Sequence, residues 1–268
     1  ASDVYKRQRY TWVDSKLSKA VGVKNGYAPG TKYNNAPDDK VGQVGSDKNS
    51  RPVFNLSLNW TGLPDTSLRA GWSQGFRVPN LQEKYLINNM GGGTIYGNSS
   101  LKPEKSNNFE VGARYAGRAV EADFALFYNL ADDYISTEHF NSREYRYVNA
   151  DKAKTFGAEL SVNFKPTDHF FPYASMTWLR RKTEWGNGVS TYDSGVAGFT
   201  ARYGVKTEFE VFNGRWNTDT YLRSKTASKS YSPSSNETTR VAGYTTLNFA
   251  TTYHFGPQKR YMVSAEAV

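Results

Sequence analysis

Three histidines, no cysteine and a scatter of basic and aromatic side chains are what this chain offers to chemistry. His139, His169 and His254 stand far apart, and only His139, with Asp132, Asp133 and Glu138 nearby in sequence, falls on an expected extracellular loop. Convergence of that imidazole with a carboxylate at one rim is what a hydrolytic reading would require. Without Cys there is neither a disulfide framework nor a Cys-ligated metal site, and no catalytic residue, metal site or cofactor is expected. The densest set of candidate binding groups lies between residues 76 and 104. Arg77, Lys102 and Glu104 supply charge there, Tyr85 and Tyr96 supply rings, and an irregular Gly- and Asn-rich run separates the two ends. The loop residues Tyr96, Arg143, Tyr145 and Arg146 suit an anionic, planar ligand and equally a lipid-interface girdle, and His139 joins the candidates on a separate loop. The same Arg77, Lys102 and Glu104 equally suit ion pairs that anchor the loop. Pro79 then marks a strand exit and Pro103 a stiffened strand entry. Both readings stand at this stage. Met90-Gly91-Gly92-Gly93 lacks the Gly-Lys-Ser/Thr ending of a phosphate loop and is read as a flexible segment that closes over a ligand.

The elements that must hold this loop are strands. The chain is 38% hydrophobic and 15% aromatic, with 19 Tyr, 15 Phe and 6 Trp, and its mean hydropathy is −0.70. Tyr, Thr, Asn, Ser and Gly carry the polarity, which favours strands and turns over helices. No apolar run approaches the ~20 residues of a spanning helix, whereas a membrane barrel strand needs only ~10, with every second one apolar. That period of two begins at Val53 and recurs to the end. Phe54, Leu56, Leu58 and Trp60 alternate with polar residues, as do Leu68, Ala70 and Trp72, then Phe109 to Tyr115, and then Val120 to Leu130. Phe156 to Phe164, Ala174 to Trp178, Ala197 to Val205, Trp216 to Arg223, Leu247 to Tyr253 and Tyr261 to Ala267 continue the pattern. Asn213-Gly214 is a strong hairpin signal between two of them.

The connections sort by parity. Short turns alternate with longer polar loops at 76–105, 137–144, 184–195 and 225–241. A soluble sandwich has no reason to do this, but an outer-membrane barrel does, because its periplasmic turns are short and its extracellular loops long. The expected fold is therefore all-β, an antiparallel transmembrane β-barrel with about ten strands in this chain, located in the outer membrane of a Gram-negative bacterium. Residues 1–8 match nothing downstream and lack a signal-peptide pattern, so they are set apart as a candidate non-native start to a truncated piece. Residues 9–52 are read as a polar extracellular loop with a strand end, and 53–268 as barrel. The net charge of +9 suits anionic partners such as lipopolysaccharide or acidic ligands. The dispersed basic residues give no nucleic-acid signature.

Three segments carry a resemblance. Phe76-Arg77-Val78-Pro79 resembles the Phe-Arg-Ala-Pro segment of TonB-dependent outer-membrane receptors. Asn98 with Leu101-Lys102-Pro103-Glu104 resembles their Gly-Asn-Pro-x-Leu-Lys-Pro-Glu box, followed here by Phe109-Glu110-Val111-Gly112. Tyr147-Val148-Asn149-Ala150 with Thr155-Phe156-Gly157-Ala158-Glu159-Leu160 resembles the next signature. The resemblance implies the C-terminal barrel portion of such a receptor, taken from a barrel of about 22 strands. It places a plug domain and the segment that meets the TonB energy transducer upstream. It further implies a non-enzymatic receptor that imports an iron chelate, with outer-membrane lipid around it. Haem receptors of this family carry a His between the two boxes. Residues 80–97 contain none, so a ferric siderophore is favoured and haem is the alternative. A passive porin or adhesin barrel and a rim-active protease are the rival classes.

Overall fold

Alternation in sequence becomes a two-faced wall in space. A computed structural model of the chain describes residues 2–17, 45–85, 87–90, 93–141, 143–186, 188–232 and 236–267. In order, the elements begin with β1 (Ser2–Leu17), β2 (Gly45–Leu63), β3 (Thr66–Arg77), helix α1 (Leu81–Tyr85), β4 (Ile87–Met90) and β5 (Gly93–Tyr96). They continue with β6 (Glu104–Ala116), β7 (Val120–Asn141), β8 (Glu144–Phe164), β9 (Phe170–Glu184) and β10 (Ser190–Thr191). The last are β11 (Phe199–Val211), β12 (Gly214–Lys225), β13 (Ser228–Ser232), β14 (Glu237–Val241), β15 (Tyr244–Phe255) and β16 (Tyr261–Ala267). Eleven of them form one antiparallel path, β1-β2-β3-β6-β7-β8-β9-β11-β12-β15-β16, with β1 and β16 as its edges. Among the described residues no helix is long and apolar enough to cross a membrane.

The register shows why this wall holds together. One cross-strand row runs Leu58, Ala70, Val111, Leu126, Ala158, Trp178 and Phe199, every member apolar and each paired with the next. On the opposite face a row runs Arg69, Gly112, Ala125, Glu159, Thr177, Thr200 and Lys225. A slip of one residue in any ladder would exchange the faces. The apolar face is open: Leu58 is 44% exposed, Val111 52% and Leu126 46%. Among the described residues no large side chain is fully enclosed. So broad an apolar surface does not belong in water; hydrocarbon satisfies it.

The polar face organises itself by ion pairs. Arg69 donates from Nε to Glu110 at 2.8 Å, and its terminal nitrogens grip Asp123 at 2.9 and 2.8 Å. The guanidinium lies across Gly112, where a Cβ would sit 2.7 Å from its central carbon. Arg202 repeats the arrangement farther along the wall, bonded to Asp219 at 3.0 Å and lying 3.8 Å over the Tyr221 ring.

All the strands expected from Val53 onward are present, and several loops are more ordered than their composition suggests. Residues 9–52 are not simply a loop: β1 pairs with β2 from Ser2↔Trp60 to Leu17↔Gly45, and residues 2–8 belong to that ladder. Lys6 and Gln8 face Leu56 and Phe54 in it, which breaks the apolar stripe and hid the strand. Residues 18–44, most of the stretch read as polar loop, lie outside the described residues. The 137–144 segment is also not a loop, because β7 and β8 pair up to Asn141↔Glu144. Within the stretches read as loops at 184–195 and 225–241, β10 pairs back on β9, β13 pairs with β14, and a Ser194↔Ser230 bridge joins the two.

The two faces make a checkable contrast. Leu160 lies midway between the rows of Phe156 and Phe164, and Leu160→Arg should cost roughly 2–4 kcal/mol in lipid. Ser161→Arg, on the polar face, should change stability by less than about 1 kcal/mol. Urea unfolding of the full-length protein in bilayers, followed by heat-modifiable gel migration, measures both.

Candidate functional site

The two boxes around the opening loop meet at its base. Arg77 ends β3, Glu104 begins β6, and the two are cross-strand partners. Arg77 Nε donates to Glu104 at 2.6 Å, and its Nη1 reaches both Glu83 oxygens at 2.8 and 2.9 Å. Pro79 is buried and ends the strand. Asn80 then caps α1: its Oδ1 accepts from the Glu83 N–H at 2.8 Å, while Glu83 Oε2 accepts from the Asn80 N–H at 2.8 Å. This is a capping box, with both orphan donors satisfied reciprocally. Glu83 therefore has two tasks, closing the helix start and neutralising Arg77. The Glu104 hydrogen bond in particular, and secondarily that of Glu83, pushes the Arg77 guanidinium further above its ordinary pKa.

The return limb is tied to the same base. Asn98 N–H donates to the Glu83 carbonyl at 2.7 Å, and Asn98 Nδ2 donates to the Tyr147 carbonyl at 3.0 Å. Gly97 lets the two limbs touch; a Cβ there would come within 2.7 Å of the Tyr85 nitrogen. Leu101 is buried, and the Lys102 N–H donates to Asn149 Oδ1 at 2.8 Å. Asn149 Nδ2 returns the bond to the Lys102 carbonyl at 3.1 Å and also reaches the Asp133 carbonyl at 2.6 Å. The second oxygen of Glu104 accepts from the Ile135 N–H at 2.7 Å. All three family-like segments thus interlock.

Between these limbs the loop is built, not slack. β4 and β5 form a hairpin closed by Met90↔Gly93, and β5 adds in parallel to β8 at Thr94↔Glu144 and Tyr96↔Arg146. Tyr96 Oη donates to Glu144 at 2.7 Å. The expectation of a flexible Met90–Gly93 segment meets a paired hairpin end, while Gly91 and Gly92 lie outside the described residues.

The candidates separate accordingly. Arg77, whose side chain is 44% exposed, gives its guanidinium to Glu83 and Glu104, which are only 11% and 16% exposed, and Tyr96 is buried. Lys102 is exposed and contributes its backbone to the anchor, while Tyr85 is half-buried with Lys84 Nζ 6.0 Å from its ring centre. His139 does not stand on a loop; its backbone pairs with Tyr145 inside β7–β8. Glu138 bonds Arg146 at 2.9 Å, and Asp133 lies 3.8 Å from Lys105. His169 and His254 sit by the short turns, His169 stacked on Phe209. Among the described residues no three His, Asp or Glu side chains gather as a metal site.

Sequence reasoning missed Arg181 and Tyr134. Arg181 Nε donates to Thr155 Oγ1 at 3.0 Å, its Nη1 to Tyr134 Oη at 3.2 Å, and its guanidinium lies 5.5 Å from the Tyr134 ring centre. With Arg77 and Glu104 they line a cavity of about 690 Å³ on the polar face, beneath the loop. Asp133 hid Tyr134: its φ of 53° breaks the alternation and turns the next side chain inward. A lower cavity of about 480 Å³ lies at Arg69 and Glu110, which are already paired.

A wall with a lipid-matched outer face, a polar inner face and long loops at one end suits a bilayer as an arc of a closed barrel, which makes this an integral outer-membrane β-barrel chain. Within that class it belongs to the TonB-dependent receptor-like β-barrel family, whose model matches residues 8–268. The family is one of receptors and transporters, not of enzymes. Over 150 residues the chain is 31% identical to an iron-regulated outer membrane virulence protein of Vibrio cholerae, covering 50% of this chain and 22% of that protein. Its fold superposes on a copper transporter, OprC, with a TM-score of 0.71 at 16% identity, covering 94% of this chain and 38% of that one. The siderophore receptor PirA of Acinetobacter baumannii gives 0.57 at 19% identity, covering 79% and 36%. The chain therefore spans well under half of each relative's length.

Removing the central cation tests the anchor. Arg77→Ala should leave Glu83 and Glu104 unpaired and cost about 2–3 kcal/mol locally. Limited proteolysis of the full-length protein should then cut within 80–97, where the parent resists, while heat-modifiable migration stays unchanged.

Proposed function

We propose that the receptor carrying this chain captures a ferric chelate at its extracellular end and imports it with energy relayed by TonB. The observation that carries this reading is the cationic, aromatic wall under the anchored loop, where Arg181 lies against Tyr134 at the head of the open cavity. An anionic chelate with flat aromatic arms suits a guanidinium held over a phenol, through charge-assisted hydrogen bonds and stacking. Arg77 and Glu104 act in this scheme as positioning residues. They hold the roof over the wall, while Lys102 and Tyr85 are the loop groups with side chains available to a ligand. Supporting this reading, the names of structural neighbours include a ferric enterobactin receptor and a ferric yersiniabactin uptake receptor. The absence of His from residues 80–97 gives a haem ligand less support.

Binding of ferric catecholate, phenolate and hydroxamate chelates to the full-length receptor, read by tryptophan quenching, tests the proposal. One class should bind, and Arg181→Ala should weaken it roughly tenfold, the loss of one hydrogen bond to a charged group. Uptake should vanish in a strain lacking TonB. Failure to bind any chelate, together with open ion conductance, would favour a passive porin instead.

A further inference from the structure

The polar row that starts at Arg69 ends at Thr177, Thr200 and Lys225, which faces Tyr244 on β15. The neighbouring row on the same face runs Ser161, Ser175, Arg202, Arg223 and Thr246. Arg202 and Arg223 are therefore directly opposite each other, an arrangement in which like charges repel. Arg202 escapes along the wall. It lies 3.8 Å from the Tyr221 ring centre, donates from Nε to Tyr173 Oη at 3.2 Å and pairs with Asp219 at 3.0 Å. Arg223 has no such outlet. Neither it nor Lys225, two residues on and about 7 Å away along the same face, has an ion pair among the described residues. The side-chain hydroxyls of Ser175, Thr177 and Thr200 beside them make no hydrogen bond among the described residues either.

These groups share a cavity of about 240 Å³, lined by Thr177, Thr200, Arg202, Arg223, Lys225 and Tyr244. At about 30 Å³ for each water molecule, that is room for a small polyatomic ion with part of its hydration. Charge narrows the choice. Asp219 neutralises Arg202, so Arg223 and Lys225 leave the cavity with an unmatched charge of about +2. The other acid in these rows, Glu159, faces Thr177 and stands three strand spacings, about 14 Å, from Lys225. A single carboxylate would leave one of the two cations unmatched. A phosphate group carries about −1.5 to −2 at neutral pH and three strong acceptor oxygens, which suits a bidentate guanidinium, an ammonium and hydroxyl donors together.

We propose that Arg223 and Lys225 hold a phosphate group on the lumen wall, with Thr200 and Tyr244 donating their hydroxyls to it. Thr200 stands on β11, the two cations on β12 and Tyr244 on β15, so one anion ties three strands together and relieves the opposition of Arg202 and Arg223. The recognised chemistry is the phosphoryl oxyanion, free or carried on a small molecule. Arg181 and Tyr134 line a different cavity, and the inference stands apart from the import of a chelate.

The test is equilibrium dialysis of the full-length receptor in detergent against radiolabelled inorganic phosphate and, separately, glycerol phosphate. Retention should be saturable. Tighter retention of inorganic phosphate would assign the site to the free anion, and tighter retention of the ester to a phosphorylated small molecule. Arg223→Gln and Lys225→Gln should each weaken retention about tenfold, the loss of one hydrogen bond to a charged group, while Arg223→Lys should keep most of it. Lys206→Gln, on the same face but 5.2 Å from the Tyr173 ring centre, should change nothing, and neither should Arg181→Ala. Three results would overturn the proposal: no saturable retention of either probe by the parent, parental retention by the Arg223→Gln, Lys225→Gln double variant with normal heat-modifiable migration, or an equal loss on Lys206→Gln. A parent that holds phosphate and binds no chelate would count against the import reading alone.

Discussion

A strand that crosses hydrocarbon has no water to complete its backbone hydrogen bonds, so each must find both neighbours in the sheet. That requirement fixes the rest of the molecule. It makes the ladders continuous from β1 to β16. It forces every strand into one register, because a shift by one would turn Arg69 and Glu159 toward lipid and Val111 and Leu126 toward the lumen. It also removes the usual source of a core: the large apolar side chains of the wall serve the bilayer, and small residues such as Ala125 and Ala201 are among those enclosed there.

Tight packing reappears where the membrane ends. Around Arg77 the protein resembles a small soluble domain, with a capped helix, a hairpin, buried amides and carboxylates, and every limb bonded to another. The charges there do not announce a ligand. A guanidinium shared by two carboxylates, each also holding a backbone N–H, is a device for fixing a loop. Binding falls to side chains that this framework leaves facing the cavity, Arg181 and Tyr134 foremost.

The wall was legible because its rule is local. A period of two can be read within one strand, and the alternation of short and long connections gives the direction of each. The loop's interior was not legible, because its bonds join distant residues: Asn98 to Tyr147, Lys102 to Asn149, Glu104 to Ile135. Nothing in the local pattern reports an amide completing a carbonyl across such a gap. The tip of β7–β8 escaped for a different reason, since Asp133 in a left-handed conformation breaks the alternation that a strand reading relies on. β1 escaped because Lys6 and Gln8 occupy outward positions where apolar residues were sought. Even the family-like boxes were legible only as signatures. Their chemistry, anchor or ligand contact, needed the third dimension.

The parallel addition of β5 to β8 has a kinetic meaning. Thr94–Tyr96 find their partners about fifty residues later in the chain, at Glu144–Arg146, whereas tight wall hairpins such as β2–β3, β6–β7 and β11–β12 join strands only a few residues apart. Contacts with a long sequence separation carry a larger closure entropy and form once shorter ones have brought their ends together. The edge that β5 needs exists only after β7 and β8 have paired. The loop between β3 and β6 is therefore finished late, on a wall already zipped beneath it, and the ligand-facing mouth of this barrel is the last part of its arc to take shape.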